Sequence, residues 1–234
     1  MGPESISIFI PAYDEELSIK SVVLDLDDCL KKSSIDYEIL LLNDASIDNT
    51  FFIMEGLSRL NPRIKVLNFN RRQGLAKMMK LGYRAASKEW VMMVSGDGQF
   101  QSAHLDYYFA QSGCCDVVCG RRINKYSTYS LSRSCISRVF NLLARLLFAI
   151  PVSDVGWSKM IKRRVLDSFK LKCFGAVVEL EILVKASIYG FKISEVRVPF
   201  VLRDHGKSKI FKPALIMLSA LSMIVLFFEY LIQK

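Results

Sequence analysis

The chain has 234 residues, 51% of them hydrophobic, with 32 Lys and Arg against 23 Asp and Glu, a net charge of +9. That length suits one large domain or two small ones, and the apolar content excludes a disordered chain. The positive excess favours an anionic partner (nucleotide, phospholipid surface or nucleic acid) without choosing among them.

Residues 5–10 read as a short buried strand. The chain then turns into a helix whose first turn carries Asp14, Glu15 and Glu16, acids suited to a helix N-terminus. Residues 37–42 form a second strand ending at Asn43-Asp44, with Asp48 placed to cap a helix running to Leu60. A third strand at 64–69 ends at Asn70-Arg71-Arg72, and residues 73–87 are helical. A fourth strand, 90–94, runs into Ser95-Gly96-Asp97-Gly98-Gln99, and 116–119 is a fifth. Alternating strands and helices over the first 120 residues predict a parallel sheet with helices on both faces.

The second half is patterned differently. Residues 131–149 predict a long helix with Ile136, Val139, Phe140, Leu143, Leu147 and Ile150 on its apolar face. Between Val117 and Ser153 there is no acid, but there are Arg121, Arg122, Lys125, Arg133, Arg138 and Arg145. Residues 176–189 predict a helix bearing Glu179 and Glu181, and 192–200 a strand. Residues 213–228 carry no charge and follow Lys207, Lys209 and Lys212, which suits the cytoplasmic face of a membrane. The run is short of the ~20 residues that span a bilayer. Glu229 favours a helix lying in the interface, and a final core helix is the competing reading. The six cysteines show neither zinc spacing nor a disulfide frame, and no signal-peptide pattern opens the chain.

The chemistry gathers at the predicted strand ends. Asp14-Glu15-Glu16, Asn43-Asp44, Asn70-Arg71-Arg72 and Asp97-Gly98-Gln99 would share the carboxyl edge of one sheet, where such sheets bind ligands. A carboxylate between two glycines suits a hard divalent cation holding a diphosphate. No Gly-x-Gly-x-x-Gly follows the first strand and no P-loop is present. Strand-end carboxylates and an apolar C-terminus also argue against a nucleic-acid binder.

Taken together, Ile10-Pro11-Ala12-Tyr13-Asp14-Glu15-Glu16, the segment from Asn43 to Thr50, and Gly96-Asp97-Gly98-Gln99 resemble the inverting GT-A glycosyltransferases. More narrowly, the chain is similar to the dolichyl-phosphate mannose synthase and polyprenyl-phosphate glycosyltransferase group. Gly120-Arg121-Arg122, Leu131-Ser132-Arg133, Asp154-Val155-Gly156-Trp157 and the run from Arg203 to Lys209 carry that narrower likeness. The resemblance implies an α/β GT-A fold plus a C-terminal apolar helix. Residues 1–120 would be the nucleotide-sugar half, 121–212 the acceptor half and 213–234 a membrane-associated helix. It implies transfer of a mannose- or glucose-type hexose from a GDP- or UDP-linked sugar to a polyprenyl phosphate, with inversion.

By the same resemblance, Asp97 with Gln99 would hold Mg²⁺ or Mn²⁺. Arg121, Arg133 and Arg203 would grip phosphates. Substrates would meet Pro11, Tyr13, Glu15, Asn43, Asp44, Arg72, Gly74, Gly96, Asp154, Glu181, Lys207, Ser208 and Lys209, with Asp44 on the base. Four departures stand out: Ser95 where the family writes Asp, Asp14 where Asn is usual, Asn43 where Asp is usual, and Arg197 where Pro is usual. Ser95 keeps open a regulatory homologue without strong metal binding, and another glycan or glycolipid acceptor is the other alternative. Homo-oligomerisation is left open. The chemistry is consistent with the likeness: a phosphomonoester is largely dianionic near neutral pH and needs no general base. It needs positive charge to bring two phosphates together and to stabilise the departing one.

Overall fold

The computed structural model describes residues 2–175, 177–201 and 213–233. In chain order the elements are β1 (Ser5–Ala12), α1 (Ile19–Lys32), β2 (Asp36–Asn43), α2 (Thr50–Leu60), β3 (Ile64–Asn68), α3 (Leu75–Ala85) and β4 (Trp90–Met93). There follow α4 (Leu105–Phe109), β5 (Val117–Ile123), α5 (Lys125–Thr128), α6 (Leu131–Phe148), β6 (Lys159–Lys162), α7 (Arg163–Asp167), α8 (Val177–Ile188), β7 (Ile193–Pro199) and α9 (Pro213–Gln233).

The strands form one sheet in the order β3-β2-β1-β4-β6-β5-β7. β1 is parallel to β2 and β4, β2 to β3, and β5 to β7. β6 runs antiparallel to both β4 and β5, so the sheet is mostly parallel, as the resemblance implies, with one antiparallel strand inserted. The sequence hides β6 because it is four residues long with a lysine at each end, Lys-Met-Ile-Lys. It buries Met160 and Ile161 between β4 and β5, and its first lysine finds a buried acid.

β1 shows why both faces are dry. Ile6, Ile8 and Ile10 point to one side, against Val23, Leu26 and Leu30 of α1. Phe9 points to the other, with Leu40, Leu42, and Met78, Met79 and Tyr83 of α3. Strands covered on both faces are the normal setting of parallel pairing. A Cβ at Gly82 would overlap the Phe9 ring, so α3 lies on β1 only because that position has no side chain.

Two helix expectations are corrected. α1 begins at Ile19 and has no acid in its first turn. Asp14, Glu15 and Glu16 lie in the preceding loop, because their groups bond across to the loop after β2 instead. α6 buries Ser134, Asn141, Ala144 and Phe148, while Ile136, Val139 and Leu143 are exposed. Of the predicted face, Phe140, Leu147 and Ile150 do pack against the core, and Asn141 joins them, its Oδ1 accepting Val155 N at 2.9 Å.

α9 buries Met223 and Leu226, and its Phe227 and Tyr230 rings meet Phe148 of α6. Glu229 faces the protein and pairs with Lys172 at 3.0 Å and Lys185 at 3.8 Å. Among the described residues, no helix is long and apolar enough to cross a membrane.

Lys159 has no exposed surface. Its ammonium donates to Val155 O at 2.6 Å, to Trp157 O at 2.9 Å and to the Glu179 carboxylate of α8. Glu179 also accepts from Tyr83 Oη of α3 at 3.3 Å. Breaking a buried pair on one side leaves an uncompensated charge and costs about 3–5 kcal/mol. Lys159→Met should therefore lower unfolding free energy by about that much, and adding Glu179→Leu should recover part of the loss. Urea denaturation of the two singles and the double measures this, and additive losses would show that the charges do not depend on each other.

Candidate active site

The carboxyl ends of β3, β2, β1 and β4 lie side by side on one edge of the sheet. The loop after β1 and the loop after β2 are laced together. Asp14 N donates to Ser46 Oγ at 3.1 Å, Glu15 N to Thr50 Oγ1 at 2.8 Å and Glu16 N to Asp48 Oδ2 at 3.2 Å. In return Ile47 N donates to Asp14 Oδ1 at 2.9 Å, and Asn49 N to Glu16 Oε2 at 3.0 Å. Asp14 reaches this geometry with φ +50°, in the left-handed region that Asn and Asp tolerate better than most residues. Asp48 Oδ1 also accepts Thr50 N at 2.9 Å at the start of α2, but the cap position expected for Asp48 is held by Asn49.

Asp44 is buried at the end of β2, and its carboxylate holds the loop after β3. It accepts Gln73 N at 2.5 Å, Gly74 N at 3.1 Å and Arg72 Nε at 3.1 Å. The Arg72 guanidinium lies 3.3 Å from the centre of the Tyr13 ring. Tyr13, Asp44, Arg72 and Gly74 are thus one connected group, with Pro11 and Glu15 on the adjoining β1 end. Asn43 is spent on structure: Nδ2 donates to Asn68 at 2.8 Å and Oδ1 accepts Ser46 N at 3.2 Å.

After β4, Asp97 is buried, and its Oδ1 accepts Gln99 N at 3.1 Å around Gly98, whose φ is +78°. Gly96 O accepts Ser18 Oγ at 2.7 Å, which ties the turn to the start of α1. Gln99 Nε2 donates to Val201 O at 3.3 Å. Among the described residues there is no group of three or more His, Cys, Asp or Glu side chains able to hold a metal.

Beside this turn Phe100 packs 6.5 Å from Trp157, and Trp157 6.3 Å from Phe200. Arg122 lies over Trp157 at 4.7 Å, and it grips Asp154 through Nε at 2.8 Å and Nη2 at 2.9 Å. Lys125 Nζ adds a third bond to Asp154 at 2.6 Å. Burial alone would raise the Asp154 pKa, but the Arg122 hydrogen bonds and charge and Lys125 overcome it and bring it from 3.8 to about 2.

The sequence did not single out Arg122. Side chains alternate along a strand, so two successive arginines on β5 must point to opposite faces. Arg122 takes the Trp157 face. Arg121 is exposed on the other face, opposite Arg197 in the β5–β7 register, and lines a cavity against α6 that Arg122, Lys125 and Asp154 also line. Arg133, in the first turn of α6, stacks on Tyr129 at 3.8 Å. Glu181 is not brought to the strand ends. It is fully buried, accepts Lys172 N at 2.8 Å and Cys173 N at 2.9 Å, and pairs with Lys185 at 2.5 Å. Arg203, Lys207, Ser208 and Lys209 lie outside the described residues. All six cysteines are free thiols.

The seven-stranded mixed α/β sheet carries its polar strand ends on one edge, with an acid-bearing turn after β4. Residues 7–169 match the family described as Glycosyl transferase family 2, and the chain belongs to that family. It is 25% identical over 228 residues to an undecaprenyl-phosphate 4-deoxy-4-formamido-L-arabinose transferase of Pseudomonas fluorescens (strain SBW25). That alignment covers 97% of this chain and 63% of the relative. The uncharacterized glycosyltransferase YkcC of Bacillus subtilis (strain 168) is 25% identical over 166 residues, 70% of this chain and 51% of that one. The chain therefore spans between half and two thirds of the length of these relatives. Glucosyl-3-phosphoglycerate synthase of Mycobacterium tuberculosis, solved with Mn²⁺, UDP and phosphoglyceric acid, superposes with a TM-score of 0.71 at 16% identity. The superposition covers 96% of this chain and 78% of that one. The same enzyme with Mg²⁺ and UDP gives a TM-score of 0.73 at 16% identity, over 95% and 79% of the two chains. This likeness shows the fold, GT-A.

Asp154 makes the stability of this region acid-sensitive with a defined sign. Its folded pKa lies below its ordinary value, so its contribution is complete above pH 3.8 and is lost as pH falls toward about 2. Glu38, held by burial-opposing bonds from Lys65, Ser7 and Ser87, moves from 4.5 to about 2 and adds loss in the same window. Asp154→Asn should lower stability at neutral pH by on the order of 2 kcal/mol and flatten the decline below pH 4. Urea titrations at pH 7, 4 and 2.5 measure both, and an unchanged acid slope would remove Asp154 from the account.

Proposed function

We propose that this protein transfers a hexose from a nucleotide diphosphate sugar to a polyprenyl phosphate, with inversion, at the cytoplasmic face of a membrane. The observation that carries the donor half is the convergence of four parallel strand ends on one edge beside the buried Asp97 turn. The acceptor half is supported by the Pseudomonas relative, whose name gives an undecaprenyl-phosphate acceptor. It is supported too by the acid-free, arginine-rich stretch from Val117 to Ser153. Residues 1–120 would bind the donor, 121–212 the acceptor, and 213–234 would rest on the membrane.

In this reading the connected group Tyr13–Arg72–Asp44 receives the nucleoside, with Pro11, Glu15 and Gly74 around it. Arg122 and Arg133 stand with Trp157 on the acceptor side, where guanidinium groups would hold two phosphates close and stabilise the leaving diphosphate. The acceptor phosphate arrives ionised, so no residue need remove a proton from it.

A divalent cation fits the turn in a limited way. Asp97 is the only carboxylate there, with the Gln99 amide two residues on. One carboxylate with substrate phosphates is a normal way to hold Mg²⁺. Bound there, the cation would neutralise diphosphate charge. The M. tuberculosis neighbours carry Mn²⁺ or Mg²⁺ together with UDP.

With so few protein ligands, Mn²⁺ alone should leave the melting temperature unchanged, while UDP with Mn²⁺ should raise it. A ligand at 100 times its Kd adds about 2.7 kcal/mol. Asp97→Asn should abolish the Mn²⁺-dependent part of that shift and reduce transfer to undecaprenyl phosphate in detergent by at least about a hundredfold. Turnover within threefold of the parent would overturn the Asp97 assignment. Transfer to phosphoglycerate but not to undecaprenyl phosphate would overturn the acceptor.

A further inference from the structure

The chain is polarised in charge. Residues 14–60 hold eleven of its 23 acidic side chains but four of its 32 basic ones, whereas the stretch from Val117 to Ser153 has no acid at all. Each pole carries an exposed apolar patch.

On the acidic side, the bonds that lace the loops after β1 and β2 bring Leu17, Ile47 and Phe52 to one corner, at 70%, 87% and 69% exposure. Glu16 and Asp48 stand among them. Their carboxylates accept Asn49 N and Thr50 N, and among the described residues neither forms an ion pair. On the basic side, Val139, Leu142 and Leu146 recur at helical spacing along the outer face of α6, all exposed. Arg138 and Arg145 flank that stripe, and among the described residues neither pairs with a carboxylate.

Charge sign decides what covers the acidic corner. Glu16 and Asp48 repel an anionic lipid surface. They suit an apolar surface edged by cations, and the outer face of α6 is such a surface. The two cannot meet within one molecule. α1 and α2 cover the sheet face of Ile6, Ile8 and Ile10, while Ala144 and Phe148 of α6 cover the face of Phe9.

We propose that the corner bearing Leu17, Ile47 and Phe52 docks on the outer face of α6 of a second copy, with Glu16 and Asp48 against Arg138 and Arg145. The contact joins two different surfaces, so it is head-to-tail, and every pair leaves one surface of each kind open for a further copy. It is independent of the transfer reaction.

Sedimentation velocity of the full chain in lipid-free buffer tests this. The parent should grow past a dimer as its concentration rises toward about 100 μM, where weak contacts become populated. Ile47→Gln with Phe52→Gln removes the corner, and Val139→Gln with Leu146→Gln removes the α6 face. Each double variant alone should associate at least roughly tenfold more weakly than the parent. An equimolar mixture of the two should form a one-to-one dimer and nothing larger, because each brings the surface the other lacks. A misfolded variant could not restore pairing, so the mixture also checks both folds. A parent that stays monomeric would overturn the proposal, as would a mixture that fails to pair. Association kept by the corner variant alone would place the contact on α6 or α9 meeting its own kind. Association kept by the α6 variant alone would pair corner with corner. Either result overturns the head-to-tail contact. A monomeric parent that binds phosphatidylglycerol vesicles, with binding lost in the α6 variant, would assign that face to the membrane and overturn it too.

Discussion

The buried ammonium of Lys159 is the point at which the two halves of the molecule are joined. Taking such a charge out of water is costly, and it is held only because three oxygens surround it: Glu179, Val155 O and Trp157 O. Two of the three are backbone carbonyls of the loop that carries Asp154 and Trp157. The same lysine opens β6, the strand that lets β4 and β5 share one sheet. Through Glu179 it reaches α8 and, by way of Tyr83, α3. Burial and the neighbouring Glu179 push the Tyr83 hydroxyl well above its ordinary pKa, so it remains a neutral donor to that carboxylate. The position of Trp157 beneath Arg122 follows from this set of contacts.

A second constraint shapes the strand-end edge. Asp14, Glu16, Asn43 and Asp44 all stand in the sequence at strand ends where ligands bind, yet each accepts or donates bonds that fix a neighbouring loop. Polar groups used this way make a rigid rim, and rigidity is what a site needs to hold a substrate without reordering itself. Asp97 sits in a turn braced in the same manner, from Gly96 to Ser18 and from Gln99 to Val201.

The first half of the fold was legible because each strand is a short apolar run that stops abruptly at a polar group. Asn43-Asp44 and Asp97-Gly98-Gln99 stand at strand ends as read. What the sequence concealed has local causes. β6 has no apolar periodicity, since its lysine is buried by a partner twenty residues away. The buried face of α6 includes Asn141, bonded by Val155 N, beside Ala144 and Phe148, a polar member that apolar periodicity does not reveal. Arg121 and Arg122 are equivalent in a motif but project to opposite faces of a strand, a difference that only the pleat reveals. Glu181 resembled a site residue because an acid in an apolar helix is conspicuous, but Lys185 one turn later is its partner. The C-terminal helix, apolar in sequence, packs on α6 through Phe148 and on α8 through Lys185.

The antiparallel insertion also sets an order of events during synthesis. β1 to β4 can assemble once roughly the first hundred residues are available, because their mutual pairings lie within that stretch. β4 then has one neighbour, β1, and its other edge waits for residues 160–162. β5, made earlier than β6, has neither of its partners when it emerges, since they are β6 and β7. For the time needed to make some sixty further residues, a hydrophobic edge of Trp90, Val91 and Met92 is open to pairing with another chain. The vulnerable species is thus a nascent half-sheet, and it disappears when a four-residue strand with two lysines closes the gap.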